Sequence, residues 1–285
     1  MRNLISLLLK LAGQVPFSLL YLFSNLLAFL LRRVFKYRLA VVRGNLKKSF
    51  PNYSDLERYK IEKKFYLNFS DVLLENLKLV SVSKITLQKR MKLLNPEVIN
   101  KLAKENKGAI LIGAHYNNWE WMALALGTYS KQELFSVYKP LNNKKIDSLM
   151  LKARSRFGAN IIPMSKFPKV VLKNKNRATI NLMLSDQSPH KSKLEYFSTF
   201  LNQDTPVYLG AEKLLKAANL ELLFVEVNRV KQGFYEMKIV PLAKQDCGEK
   251  GVSTKLHLSH LEKIIINQPQ NWLWSHRRWK HSRKK

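Results

Sequence analysis

The residues with the clearest capacity for chemistry are His115 and Glu120, in the stretch Gly113-Ala114-His115-Tyr116-Asn117-Asn118-Trp119-Glu120. An imidazole, with an ordinary pKa of about 6.5, can remove a hydroxyl proton at neutral pH. A carboxylate on its other ring nitrogen would fix the tautomer and stabilise the imidazolium. This combination suits attack of an acceptor hydroxyl on an activated acyl group such as a thioester. A positioned general base is typically worth about 10²–10⁴-fold, and the acceptor supplies the nucleophile, so no catalytic Ser or Cys is required. Taken alone, the spacing is equally compatible with His115 as a polar residue at a strand end. A metal site is not expected, because one His and one carboxylate are too few ligands. His257 and His260 are three apart, but no partner pattern completes a site, and no cofactor is called for. The single cysteine, Cys247, cannot form an internal disulfide. It lies in a polar stretch with no His beside it and reads as an incidental loop thiol.

The elements that must position these groups follow from the hydropathy pattern. Gly108 to Ala114 is a short apolar run that reads as a buried strand, and Asn117 and Asn118 are good N-cap residues for a following helix. His115 then sits at the carboxyl end of a strand, where α/β sheets place their ligands. Similar runs at 134–138, 160–162, 179–184, 222–227 and 235–240 alternate with helical patterns at 119–126, 145–157, 167–173 and 210–218. The polar loop containing Gly233 makes the last two runs a hairpin. The expected fold is therefore α/β, with a mixed, largely parallel central sheet flanked by helices. Ser54 and Glu57 form a capping-box pattern ahead of a helix reaching to about Leu79.

Two features depart from an ordinary soluble domain. The chain is mostly apolar from Leu4 to Leu31 and ends that run at Arg32-Arg33. This predicts an N-terminal membrane anchor over residues 1–38 and a catalytic domain over residues 39–285. The anchor is expected to cross or re-enter the bilayer, with a helix lying in the interface as the alternative. The basic residues after it would leave the domain on the cytoplasmic side of the membrane. The second feature is charge: fifty Lys and Arg against twenty Asp and Glu, a formal +30. Such an excess favours polyanionic partners, whether an anionic lipid surface, an acidic carrier protein or nucleic acid.

Several blocks in order resemble the late acyltransferases of lipid A biosynthesis, the lauroyl and myristoyl transferases, within the glycerophosphate acyltransferase-like superfamily. They are the His115 to Glu120 block, Arg154-Ser155-Arg156-Phe157-Gly158-Ala159 with Ile161-Ile162-Pro163, and Asp186-Gln187-Ser188-Pro189. Phe200 with Thr205-Pro206-Val207 follows, and then Pro269 to Lys280, which contains Trp272, Trp274, Arg277, Arg278 and Trp279. Asn45-Leu46 and Phe50-Pro51 fit the early part of the family. The resemblance implies His115 as catalytic base and Glu120 as its acidic partner. It maps a phosphate-binding arginine onto Arg156 and places Asp186 and Gln187 near the acceptor, where they would contact its sugar or cap a loop. Asn118 either shapes the site or only caps the helix. Asn117 stands where many members carry Gly, and Ser188-Pro189 departs from the usual acidic or Gly-containing run, so acceptor identity is the part of the resemblance these changes touch. The tryptophans either form a belt at the membrane interface or close the core.

The resemblance implies O-acyl transfer from an acyl-carrier protein or acyl-CoA to a lipid A precursor, an anionic lipid. A lysophospholipid, an amino-acid lipid or another glycolipid is the alternative acceptor. A basic nucleic-acid-binding protein is the alternative from another class. The apolar N-terminus and the lack of a recognised nucleic-acid module argue against it, so no nucleic-acid partner is expected.

Overall fold

The computed structural model describes residues 13–242, 249–281 and 283. Cys247, the apolar residues before Gly13 and part of the basic tail lie outside the described residues. Helix α1 (Phe17–Phe29) runs into a π-helical turn at Leu30–Val34, followed by α2 (Leu39–Ser49) and α3 (Asp55–Glu75). Next come α4 (Lys84–Arg90), β1 (Met91–Leu93), α5 (Glu97–Lys104), β2 (Ala109–Gly113) and α6 (Trp119–Tyr129). The middle of the chain supplies β3 (Glu133–Tyr138), α7 (Lys144–Arg154), β4 (Asn160–Pro163), α8 (Phe167–Lys173) and β5 (Thr179–Leu184). A small hairpin of β6 (Phe197–Phe200) and β7 (Gln203–Pro206) leads to α9 (Gly210–Ala218), β8 (Glu221–Lys231), β9 (Phe234–Pro241) and α10 (Val252–Asn267).

The main sheet has seven strands in the order β1-β9-β8-β2-β5-β3-β4. Every pairing in it is parallel except β8 with β9, which are antiparallel neighbours joined through Gly233 at φ +72°. The fold is thus the mixed, largely parallel α/β architecture the sequence predicts. The short strands β1, β6 and β7 carry too little apolar pattern to be legible beforehand.

Side-chain alternation divides the core into two layers. On β2, Ile110 and Ile112 face one layer with Phe65, Phe224 and Trp272. Ala109 and Leu111 face the other with Trp121, Leu182 and Met237. A strand buried on both faces must read as a continuous apolar run, as Ala109–Gly113 does.

The helix expected from Ser54 to Leu79 is present, but its last turn tightens. The α-helical part ends at Glu75 and a 3₁₀ turn covers Asn76–Val80. Its start is the capping box read from the sequence. The Glu57 amide donates to Ser54 Oγ at 3.3 Å and the Ser54 amide donates to the Glu57 carboxylate at 2.7 Å. Helix α1 lies along α3. Tyr21 donates to Glu75 at 3.1 Å, Ser24 donates to Asp71, and Arg32 pairs with Glu62 at 2.8 Å.

Candidate active site

His115 lies two residues past β2, at the carboxyl edge of the sheet. Asn117 takes the left-handed conformation (φ 53°), which turns the chain from strand to helix. Its side-chain amide donates to the Val227 carbonyl and its backbone amide to the Asn271 carbonyl. The loop is held from outside by the C-terminal segment. Tyr116 bridges to Trp272, and the Leu273 amide donates to the His115 carbonyl at 3.1 Å.

Because β2 and β5 are parallel with Gly113 opposite Leu184, the residues two past each strand fall side by side. These are His115 and Asp186. The His115 Nδ1 lies 2.8 Å from Asp186 Oδ1, and the His115 amide donates to Oδ2 at 3.1 Å. The indole N–H of Trp272 donates to the same Oδ2 at 2.9 Å. Burial pushes the Asp186 carboxyl up. The His115 charge, the imidazole hydrogen bond, the indole and the backbone amide outweigh it and hold the group down at about 2. A carboxylate at Nδ1 accepts the proton that nitrogen carries, which leaves Nε2 as the ring nitrogen free to exchange a proton with a ligand. Gln187 places its side-chain amide nitrogen 3.1 Å from that Nε2.

Glu120, which the spacing sets against the imidazole, makes its hydrogen bonds elsewhere. Both its oxygens accept from Arg154, at 2.8 Å from Nε and 2.6 Å from Nη2, a two-pronged fit of carboxylate and guanidinium. The reason is local: the α6 N-terminus projects Trp119, not Glu120, over His115, with ring centroids 5.1 Å apart. The imidazole's carboxylate is Asp186, and Glu120 with Arg154 forms a second charged element in the same cleft.

Arg156 is placed away from this cleft. Helix α7 stops at Arg154, and the turn Ser155–Gly158 that follows, closed by Gly158 at φ +89°, swings Arg156 outward. Its guanidinium donates to the carbonyls of Leu79 and Val82 at 2.8 and 3.0 Å, which ties down the end of the α3 region. The arginine that reaches the cleft is Arg154, two positions earlier. Gly127 allows this arrangement: a Cβ there would meet the Phe157 carbonyl oxygen at 2.6 Å, so only glycine lets α6 approach the turn.

Asn118 is fully buried and caps α6. Its Oδ1 accepts from the Trp121 amide at 2.9 Å, and its Nδ2 donates to Glu75 at 2.7 Å. It shapes the site by fixing the helix start. The strand-end loop after β5 is braced from behind by two histidines. His257 Nε2 lies 3.2 Å from Ser185 Oγ, and the Ser188 amide donates to His276 Nε2 at 3.2 Å. Burial lowers both to about 4, so both are neutral at physiological pH. Trp272, Trp274 and Arg278 are buried in the core and the half-buried Trp279 packs on Trp272, so these residues close the fold, while Arg277 is exposed. Trp272, Arg154 and His276 are the site residues whose positions the sequence left unread, since only the register and the C-terminal packing bring them in.

The cleft beside His115 encloses about 250 Å³. Its walls are largely apolar, from Ala123, Val137, Ile161, Met164, Leu182 and Leu184, and the imidazole, Gln187, Glu120 and Arg154 are among its polar lining. Among the described residues no group of three or more His, Cys, Asp and Glu is placed to hold a metal ion.

The model of the family described as bacterial lipid A biosynthesis acyltransferase matches residues 3–281. The chain is 20% identical over 268 residues to the lipid A biosynthesis palmitoleoyltransferase of Escherichia coli (strain K12), covering 94% of this chain and 87% of the relative. It is 20% identical over the same length to the lipid A biosynthesis acyltransferase of Shigella flexneri, with the same coverage. It is 22% identical over 274 residues to the lipid A biosynthesis lauroyltransferase of Escherichia coli (strain K12), covering 95% and 89% of the two chains. With a family match running through almost the whole chain and an imidazole set at the mouth of an apolar cleft, this protein belongs to the bacterial lipid A biosynthesis acyltransferases.

Proposed function

We propose that this acyltransferase moves a fatty acyl group from a thioester donor, an acyl-carrier protein or acyl-CoA, to a hydroxyl of a lipid A precursor, with His115 as general base. One observation carries the reading: His115 has its Nδ1 fixed on an ionised carboxylate while its Nε2 opens on an apolar cleft. The acceptor hydroxyl would take the place of Gln187 at Nε2. As its oxygen bonds to the thioester carbonyl carbon, its proton passes to Nε2 and the carbonyl π pair moves onto oxygen. Collapse of this tetrahedral oxyanion breaks the C–S bond, and the departing thiolate takes the proton back from the imidazolium. Asp186 stabilises that imidazolium throughout. The Gln187 amide, displaced from Nε2, would be a donor for the oxyanion.

Glu120 and Arg154 act together in the lining of the cleft, where they orient the acceptor. The apolar walls suit the acyl chain, since a methylene series gains roughly 0.8 kcal/mol per buried CH₂. The +30 charge would draw in an acidic carrier and a phosphorylated lipid, an attraction that weakens with salt. With these two substrates the enzyme would work at the cytoplasmic face of the inner membrane. The decisive experiment is mass spectrometry of lipid products from the purified full-length enzyme with defined donors and acceptors. Wild type should add one acyl mass to a lipid A precursor, and His115→Ala should add none while remaining folded. Transfer by His115→Ala at the wild-type rate would overturn the mechanism, and transfer only to a lysophospholipid would overturn the acceptor.

A further inference from the structure

Helix α1 and its continuation, Phe17–Val34, form a stretch long and apolar enough to cross a membrane by length and composition. The contacts at its two ends describe a different arrangement. Ahead of the helix, the buried Lys78 ammonium donates to the carbonyls of Gly13 and Val15, and Ser81 Oγ donates to Gly13 at 2.9 Å. At the other end, Arg32 is buried on Glu62, Arg33 reaches Tyr59 at 3.1 Å, and Arg38 donates to the Ser275 carbonyl at 2.9 Å. Between the ends, Ser24 donates to Asp71 and Tyr21 to Glu75. The contacts run in antiparallel order along α3, so the helix is fastened to the catalytic body over its whole length.

A helix that crosses a bilayer has its ends on opposite sides and lipid around its middle. To cross here, α1 would have to take α3 with it. Helix α3 carries Glu62, Asp71 and Glu75 against α1, and Lys63 and Lys64 exposed on its surface. Charges at that depth are strongly disfavoured. The side of α1 turned away from α3 is the opposite in character. Leu22, Leu26 and Phe29 are 66%, 54% and 57% exposed, and Leu19 and Phe23 are exposed beside them. Arg33 and Lys36 are exposed at its C-terminal end, and Lys63 and Lys64 are exposed next to Glu62, the partner of Arg32. An apolar row bordered by cations is complementary to a lipid surface bearing negative headgroups.

We propose that α1 is an in-plane docking helix: the row Leu19, Leu22, Phe23, Leu26 and Phe29 seats in an anionic leaflet while both ends stay on one side, bound to the catalytic body. This rests on the reading of the enzyme as one that works on membrane lipid. It extends that reading by fixing how the body meets the membrane.

The test uses the full chain with Cys247→Ser and single cysteines at the exposed positions Gln14 and Lys36, either side of α1. Membrane-impermeant maleimide is applied to right-side-out and inside-out vesicles. Labelling of both positions from the same side supports in-plane docking, and labelling from opposite sides overturns it. In a second arm, purified wild type and Leu22→Glu/Leu26→Glu are mixed with vesicles of phosphatidylcholine with or without phosphatidylglycerol. Wild type should bind the anionic vesicles more tightly. The double variant should lose at least about tenfold in partition with unchanged thermal unfolding, and undiminished binding would overturn the proposal. Acyl transfer to detergent-dispersed acceptor, measured on both proteins, keeps the two readings apart. Absence of transfer in wild type would count against the assigned reaction alone, while the labelling pattern would still decide the docking mode.

Discussion

The Nδ1 atom of His115 lies 2.8 Å from Oδ1 of Asp186, and the His115 backbone amide lies 3.1 Å from Oδ2 of the same carboxylate. The ring and its own backbone therefore bind one group, which fixes the imidazole in both tautomer and direction. The pairing is a product of strand register: residues 115 and 186 are equivalent positions past two adjacent parallel strands. Such a contact lets the sheet, rather than a loop, set the angle of the imidazole.

Asp186→Asn tests that contact directly. An amide can offer Nδ1 a donor and so favour the tautomer with its proton on Nε2, where the base is then blocked. Turnover should fall by about 10²–10⁴-fold with little change in KM. Steady-state kinetics on a folded variant would show it, and a loss under threefold would mean that Asp186 does not orient the base.

Glu120 and Arg154 form a two-pronged pair at 2.8 and 2.6 Å, and the side chains are only 13% and 24% exposed. Removal of either partner leaves the other charge uncompensated at the edge of the cleft. Glu120→Gln and Arg154→Met should each lower kcat/KM by at least about tenfold. Because they break the same pair, the double variant should lose little more than the worse single variant. Losses that multiply would show two independent roles, and the pair would not be a unit.

The central sheet was legible because each buried strand of a doubly covered sheet is an uninterrupted apolar run, and Ala109–Gly113 is the clearest case. His115 was legible because it breaks such a run at its carboxyl end. Its partner was not, because sequence distance favours Glu120 whereas the contact depends on which strands are neighbours. Asp186 was visible as a polar residue after an apolar strand, yet nothing in the sequence says that β5 lies beside β2. The arginines show the same limit at finer scale. Arg154 and Arg156 differ by two positions, and the end of α7 decides which faces the cleft. Trp272 read equally as interface or core, and its burial puts it in the core.

The apolar lining of the cleft gives a prediction about chain length. Ala123 lies on α6 in the wall of a space of about 250 Å³. Ala123→Leu adds three carbons to that wall, so a long acyl chain must either withdraw or displace the new side chain. The preference between donors should shift toward shorter chains, by roughly tenfold in the ratio of kcat/KM values, the usual worth of a methylene or two in an apolar pocket. Competition between a twelve-carbon and a sixteen-carbon donor would measure it. An unchanged product ratio would place the acyl chain elsewhere.

Glu75 supplies a prediction about pH. It is fully buried and accepts hydrogen bonds from Asn118, Tyr235 and Tyr21, which joins α1, α3, β9 and the cap of the active-site helix. Burial pushes its carboxyl up to about 7, against those hydrogen bonds. The folded protein therefore holds a proton that the unfolded chain releases above about 4.5. That stabilisation is fully present below about 4.5 and is lost as pH rises to about 7, a change of about 3 kcal/mol at most. His257 and His276, lowered to about 4, act in the opposite direction between about 4 and 6.5, so the wild-type curve alone mixes the two effects. The stability difference between wild type and Glu75→Gln cancels the histidines, which both proteins share. Denaturant unfolding at pH 4.5, 6 and 7.5 should show wild type losing stability relative to the variant as pH rises. A difference that stays flat across this range would mean that Glu75 keeps an ordinary carboxylate pKa inside the fold.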